Sequence, residues 1–178
     1  AAVPAELSRV RRGDVSLVFL GTVSSVPSKF RNVTSIYVDL MGGSEGLLLD
    51  AGEDAMGQLK RRYGPEDAER RLLGLSAIFV THMHADHHGG LYRLLQLRYD
   101  LDQQRQAATG AAPARPLLVI GPPPLFRSLA AYRDVVPQPA HFLCNNQLLP
   151  NFSGRPPPPV VTSLYNQVLS RLRLRAIR

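Results

Sequence analysis

Cysteine is almost missing from this 178-residue chain, where Cys144 stands alone. A single thiol closes no internal disulfide, which suits a reducing compartment. It also excludes a cysteine-rich zinc finger. Histidine is nearly as scarce, with five residues in all. No apolar run approaches the roughly 20 residues of a membrane-spanning helix. The opening segment AAVPAELSRVRRGD lacks an initiator Met and the apolar stretch of a signal peptide. The chain therefore reads as an excerpt or a processed product, and an import leader already removed would leave no trace. Acidic residues number 14 against 21 basic ones, a formal net charge of +7. That excess favours a polyanionic partner, or serves solubility alone.

What the chain does have is enough apolar character, 44% of residues, for one domain with a real core. Residues 15–22, 34–40 and 46–53 read as three strands, the third ending in a carboxylate and a glycine. A helix is expected over 54–64, with Gly64 as its stop, and a second over 65–74, opened by Pro and acids. Residues 75–82 form a fourth strand, apolar on both faces as in a covered sheet. An amphipathic helix is expected over 90–106, then a flexible connection over 107–116. A fifth strand (117–121) leads into a Pro-opened helix. Residues 152–159 are a Pro-rich surface loop, and 160–178 a helix running into a strand. Strands and helices alternate, which predicts an α/β layered fold.

The scarce histidines are concentrated. HMHADHH, residues 82–88, holds four of them with an aspartate. His82 and His84 are two apart, so in extended backbone they point the same way and can reach one metal ion. Asp86 and His87 offer an oxygen and an imidazole to a second. Such ligands suit zinc, and manganese or iron where carboxylates contribute. The strand before them delivers the cluster to its C-terminal end, where open α/β sheets collect functional groups. Gly89 and Gly90 leave room for close backbone approach. The bland alternative is a surface loop of histidines with Asp86 capping a helix. Asp50 either holds a metal-bound histidine from behind or simply forms a strand-end turn.

HMHADHH resembles the His-x-His-x-Asp-His signature of the metallo-β-lactamase fold. The resemblance implies an αββα sandwich, with His82 and His84 holding the first metal and Asp86 and His87 the second. His88 would support the site from outside or contact substrate. Three further stretches resemble tRNase Z. FLGTVSSVPSKFRNVTS (19–35) carries its Pro-x-Lys-x-Arg-Asn pattern at Pro27, Lys29, Arg31 and Asn32. LLLDAGEDAMGQLKRRYG and RPLLVIGPPPLFRSLAAY are similar to its next motifs. The likeness spans roughly residues 15–145 and is closest to the catalytic half of the long form. In the loop, Lys29 and Arg31 can neutralise phosphates, and Asn32 can bond a base edge or the loop's own backbone.

The resemblance implies a two-zinc endoribonuclease that removes the 3′ trailer of precursor tRNA, with no membrane partner. Asp86 would be both ligand and proton handler. The implied address is intracellular: nucleus, mitochondrion or cytoplasm. Two rivals stand beside it: a small-ester or thioester hydrolase of the same fold, and a non-catalytic RNA-binding module. Val23 and Asp54 occupy positions where the family commonly has glycine. The family's later metal ligands are also not recognisable, since His141 in PQPAHFLCNN does not resemble their strand. The chain is therefore expected to be the N-terminal half of the sandwich. The other half of the domain, and the long form's own N-terminal half, would lie outside it, leaving apolar sheet surface uncovered.

Overall fold

The computed structural model describes residues 13–133 and 140–171. The basic N-terminal segment and the strand expected near the C-terminus fall outside them. Six strands, β1 (Val15–Gly21), β2 (Ser35–Leu40), β3 (Glu45–Leu49), β4 (Leu75–Phe79), β5 (Leu117–Gly121) and β6 (Ala140–Cys144), lie side by side in chain order. The first two pairings are antiparallel and the remaining three are parallel. Around them lie α1 (Ala55–Tyr63), α2 (Pro65–Leu73), α3 (Ala85–His88), α4 (Leu91–Thr109), α5 (Pro123–Tyr132) and α6 (Pro159–Arg171). The α/β reading of the sequence is thus the observed architecture.

Strand periodicity divides the core in two. Leu48, Ile78, Leu117 and Val119 point to one face and pack under Leu59, Leu72, Leu94, Leu95 and Leu125 of the helices. Ala77, Leu118, Ile120 and Leu143 point to the other face, where α6 covers them with Val161, Leu164 and Val168. Both faces of β4 and β5 are therefore dry. On β1 one face stays open: Val15, Leu17 and Phe19 are 48%, 59% and 63% exposed. These alternate along one strand, so they form an uncovered apolar stripe of the sheet rather than scattered surface residues.

Three details depart from the sequence reading. Strand β6 was not expected, because HFLC is short and follows a Pro-rich stretch. It exists through pairing with β5, Leu118 opposite His141 and Gly121 opposite Cys144. Helix α4 buries only its first half, at Leu91, Leu94, Leu95 and Arg98. The connection after it is fastened rather than loose: both Asp102 carboxylate oxygens accept the Ala114 N–H, at 3.0 and 2.9 Å. Helix α5 ends at Tyr132, and residues 134–139 lie outside the described residues.

Candidate metal centre

The parallel ladder places the cluster. Beyond the assigned strands, Asp50 N–H still donates to Phe79 O at 2.7 Å and Val80 N–H to Ile120 O at 2.8 Å. β3 and β4 therefore end together, and the turns after them meet. Two backbone bonds clamp those turns: Ala51 N–H to His87 O at 2.8 Å and Gly90 N–H to Ala51 O at 2.9 Å. A β-carbon on Gly90 would collide with the Gly52 carbonyl, so glycine is needed for this approach. The space foreseen for the Gly89–Gly90 pair is used at Gly90.

Four donors face one another at this junction. His82 Nε2 lies 3.1 Å from His84 Nδ1. His87 Nε2 lies 3.6 Å from Asp86 Oδ2. The His82 and His87 rings are 4.1 Å apart between centroids. Two ligand atoms each about 2.1 Å from one zinc ion are separated by a little over 3 Å, so both pairs have the spacing of ligands to a common ion. The donor types and the spacing within each pair fit zinc. No group of three or more His, Cys, Asp or Glu is arranged to hold one ion among the described residues. His141 sits on β6, three residues before the Cys144 end, and is not part of the cluster.

Asp50 is buried at 4% exposure and takes the left-handed conformation at φ 58°. This turns its carboxylate back over the next strand end. It accepts the Thr81 N–H at 2.8 Å and lies 2.7 Å from His87 Nδ1. The ring nitrogen left over on His87 is the one facing Asp86. Asp50 therefore fixes which nitrogen His87 can offer a metal. The strand-end turn and the histidine contact are one device. Thr81 Oγ1 adds contacts to Asp50 at 3.0 Å and to His82 Nδ1 at 2.9 Å. Thr81 was not singled out from sequence; its signal is a hydroxyl directly before the first histidine. His88 instead packs edge-on against Tyr92, with centroids 6.4 Å apart.

Asp86 is 8% exposed, and its Oδ2 accepts the Ser25 N–H at 2.8 Å. That donor holds its carboxyl below the usual carboxylate range, against the opposing effect of burial.

Ser25 belongs to the loop between β1 and β2. The loop closes with Thr22 and Val23 N–H groups donating to Asn32 O at 2.9 and 3.0 Å. Asn32 is buried, and its amide donates to Glu53 O at 2.6 Å. Its side-chain donor thus staples the loop to the β3–α1 turn and does not face solvent as a base contact would. At the tip, Ser28 Oγ accepts the N–H groups of Phe30 at 3.3 Å and Arg31 at 3.1 Å, a tight hydroxyl turn. That turn projects Phe30, 86% exposed, between Lys29 and Arg31. Pro27, Lys29 and Arg31 line an open cleft of about 900 Å3, together with Phe30, Gln58 and Arg61. Phe30 was missed by the sequence reading. The available signal was an aromatic residue between two cations in a loop.

The family model described as the metallo-beta-lactamase superfamily matches residues 28–100. Over 147 residues, 82% of the chain, 45% are identical to a mitochondrial tRNase Z of Arabidopsis thaliana, TRZ4. The chain belongs to the metallo-β-lactamase superfamily. It is also 41% identical over 128 residues, 71% of its length, to the zinc phosphodiesterase ELAC protein 2 of Homo sapiens. It spans only 15% of the Arabidopsis protein and 14% of the human one. Among solved structures, a long form RNase Z from yeast superposes with a TM-score of 0.68 at 20% identity, over 89% of this chain and 24% of that one. The short form of human tRNase Z gives 0.55 at 24% identity, over 72% and 44% respectively. At those identities the superpositions establish the metallo-β-lactamase fold. Its sheet carries the HMHADHH turn at the C-terminal end of β4.

Proposed function

We propose that the chain is the metal-binding portion of a tRNA 3′-end endoribonuclease. The observation that carries this is the pairing of four donors at the end of β4, beside a basic, aromatic-tipped loop. The relatives named tRNase Z and zinc phosphodiesterase support it. His82 and His84 would hold one zinc ion, and Asp86 and His87 a second, with further ligands from elsewhere in the longer protein. Bound zinc would supply Lewis-acid polarisation of the scissile phosphate and ionise a water for attack.

The chain's own residues do the rest. Asp50 keeps His87 in one tautomer, and Asp86 contributes a fixed negative charge. Asp86 is proposed both as a zinc ligand and as the group that passes a proton during the reaction. Lys29 and Arg31 neutralise phosphates, while Phe30 offers a face to an unpaired base. His88, packed on Tyr92, holds the turn from outside. Precursor tRNA is the proposed substrate, and the two Arabidopsis relatives named mitochondrial support that address.

Zinc binding and tRNA binding separate this reading from its rivals. The chain is expected to take up zinc in equilibrium dialysis and to lose most of it in His82→Ala/His84→Ala. Affinity for precursor tRNA should change less than about twofold, since imidazoles of the turn are not phosphate contacts. Zinc uptake unaffected by the double substitution would sink the metal assignment. A small-ester hydrolase predicts no tRNA binding, and a non-catalytic module predicts tRNA binding with no zinc.

A further inference from the structure

We infer that Asp86 has a second role: through the Ser25 N–H it anchors the 22–33 loop, fixing the RNA-contacting tip relative to the metal-binding turn. The inference rests on the tRNA reading for the function of the tip, but the anchor itself is independent of it.

The first support is the bond itself, 2.8 Å long and joining residues 61 apart in sequence. The second is backbone strain. Ser25 sits at φ 74°, one of only three non-glycine residues with positive φ among those described. The left-handed conformation is unfavourable for an ordinary residue, and here it accompanies an N–H delivered to a carboxylate. The other two residues are Asp50 and Asp54, and Asp50 likewise serves the metal turn. The third support is the loop's wiring. Its stem is tied by Asn32, whose carbonyl takes two N–H groups and whose amide reaches Glu53. Beyond the stem, and among the described residues, the hydrogen bonds of residues 24–31 stay within the loop, apart from the one to Asp86. Asp86 is therefore the outer tie of a hoop whose free arc carries Lys29, Phe30 and Arg31.

One atom faces both ways. The oxygen that accepts Ser25 N–H is the oxygen opposite His87 Nε2. A carboxylate oxygen has two lone-pair directions, so it can serve both partners. Loop position and ligand position are then mutually constrained.

The test uses the full chain, held metal-free in chelator, so that ligation plays no part. Amide hydrogen exchange is followed at Ser25 and Arg31 in the wild type, Asp86→Ala, Asp86→Asn and His82→Ala/His84→Ala. The anchor predicts exchange at both amides about tenfold or more faster in Asp86→Ala, as expected for loss of a hydrogen bond to a charged group. Asp86→Asn, which keeps an acceptor oxygen, should recover most of the protection, and the histidine pair should exchange as wild type. Unchanged exchange in Asp86→Ala would overturn the anchor. Should Asp86→Ala not fold, Ser25→Gly is compared with glycolic acid at position 25, which replaces the N–H by an ester oxygen and leaves the φ 74° backbone as free. Gly keeps the donor, so Arg31 stays protected; the ester removes it, so Arg31 loses protection. Equal Arg31 exchange in those two would also overturn it.

A second readout is precursor-tRNA affinity in chelator. Asp86→Ala should weaken binding several-fold relative to Asp86→Asn, although both remove the same charge. Equal affinity in a chain that binds tRNA overturns the coupling to the tip. A wild-type chain that binds no tRNA defeats the functional reading, while exchange still decides the anchor.

Discussion

Asp54 stands where the family commonly has glycine, and its backbone shows why. It precedes α1 at φ 56° and ψ 25°, a left-handed cap that glycine occupies freely and aspartate tolerates. The added carboxylate is not left bare beside the cleft, because Arg61 lies 3.1 Å from it. The pair is exposed and contributes little to stability. Asp54→Gly should therefore leave stability within about 0.5 kcal/mol, with strain relief offset by greater freedom of the unfolded chain. Asp54→Val should cost about 1–2 kcal/mol, because a β-branched residue resists this conformation. Urea melts of the three chains check both values. Val23, the other departure from the family pattern, is not among the positive-φ residues and bridges Val33. Its substitution therefore puts no left-handed strain on the loop.

At the scale of elements, one arginine joins α2 to the sheet by an ion pair, beside the apolar packing of Ala68 and Leu72. Arg71 is 7% exposed, lies 2.6 Å from Asp39 on β2, and covers the Tyr63 ring at 3.8 Å. Asp67 completes the group from one turn earlier, at 2.9 Å. Hydrogen bonds from Arg71 and then Arg70 hold the Asp67 carboxyl below the usual carboxylate range. A depressed folded pKa gives stability that is fully present above the unfolded value, about 4. It is lost as pH falls through the lower folded value. The melting temperature should thus fall as pH drops below about 4, and fall less steeply in Asp67→Asn. Thermal melts across that range test it.

The elements also show what the sequence could disclose. β4 and β5 were legible because two-sided burial leaves an unbroken apolar run. The histidine-rich turn was legible because its donors are neighbours in sequence. β6 was not, since a short edge strand owes its existence to β5, a non-local cause. Ser25 and Phe30 were equally hidden. Their placement comes from a carboxylate 61 residues away and from a serine hydroxyl turn, neither of which a local pattern records.

For the molecule as a whole, the net charge is +7. The cleft beside the β1–β2 loop holds Lys29, Arg31 and Arg61 along with Glu53 and Asp54, and Arg61 is already paired with Asp54. Affinity for precursor tRNA should fall linearly with salt on logarithmic axes. Lys29→Ala should make that slope shallower by roughly 0.7–0.9, the change expected for one lost phosphate contact. Titrations at several salt concentrations measure it, and an unchanged slope would remove Lys29 from the phosphate contacts. The uncovered stripe of Val15, Leu17 and Phe19 lies on the same edge of the sheet as this loop, on β1 itself.

The sheet is ordered β1 to β6 as the chain is. Each strand leaving the ribosome therefore finds the edge it needs already built, and no strand must wait for a later one to be inserted between it and its neighbour. Short loop closures of this kind favour fast assembly. The β4 turn can thus take shape once β5 has docked, before α6 has been translated. Synthesis itself becomes the assembly line, and the histidine-rich turn takes shape as soon as the strands on either side of it have paired.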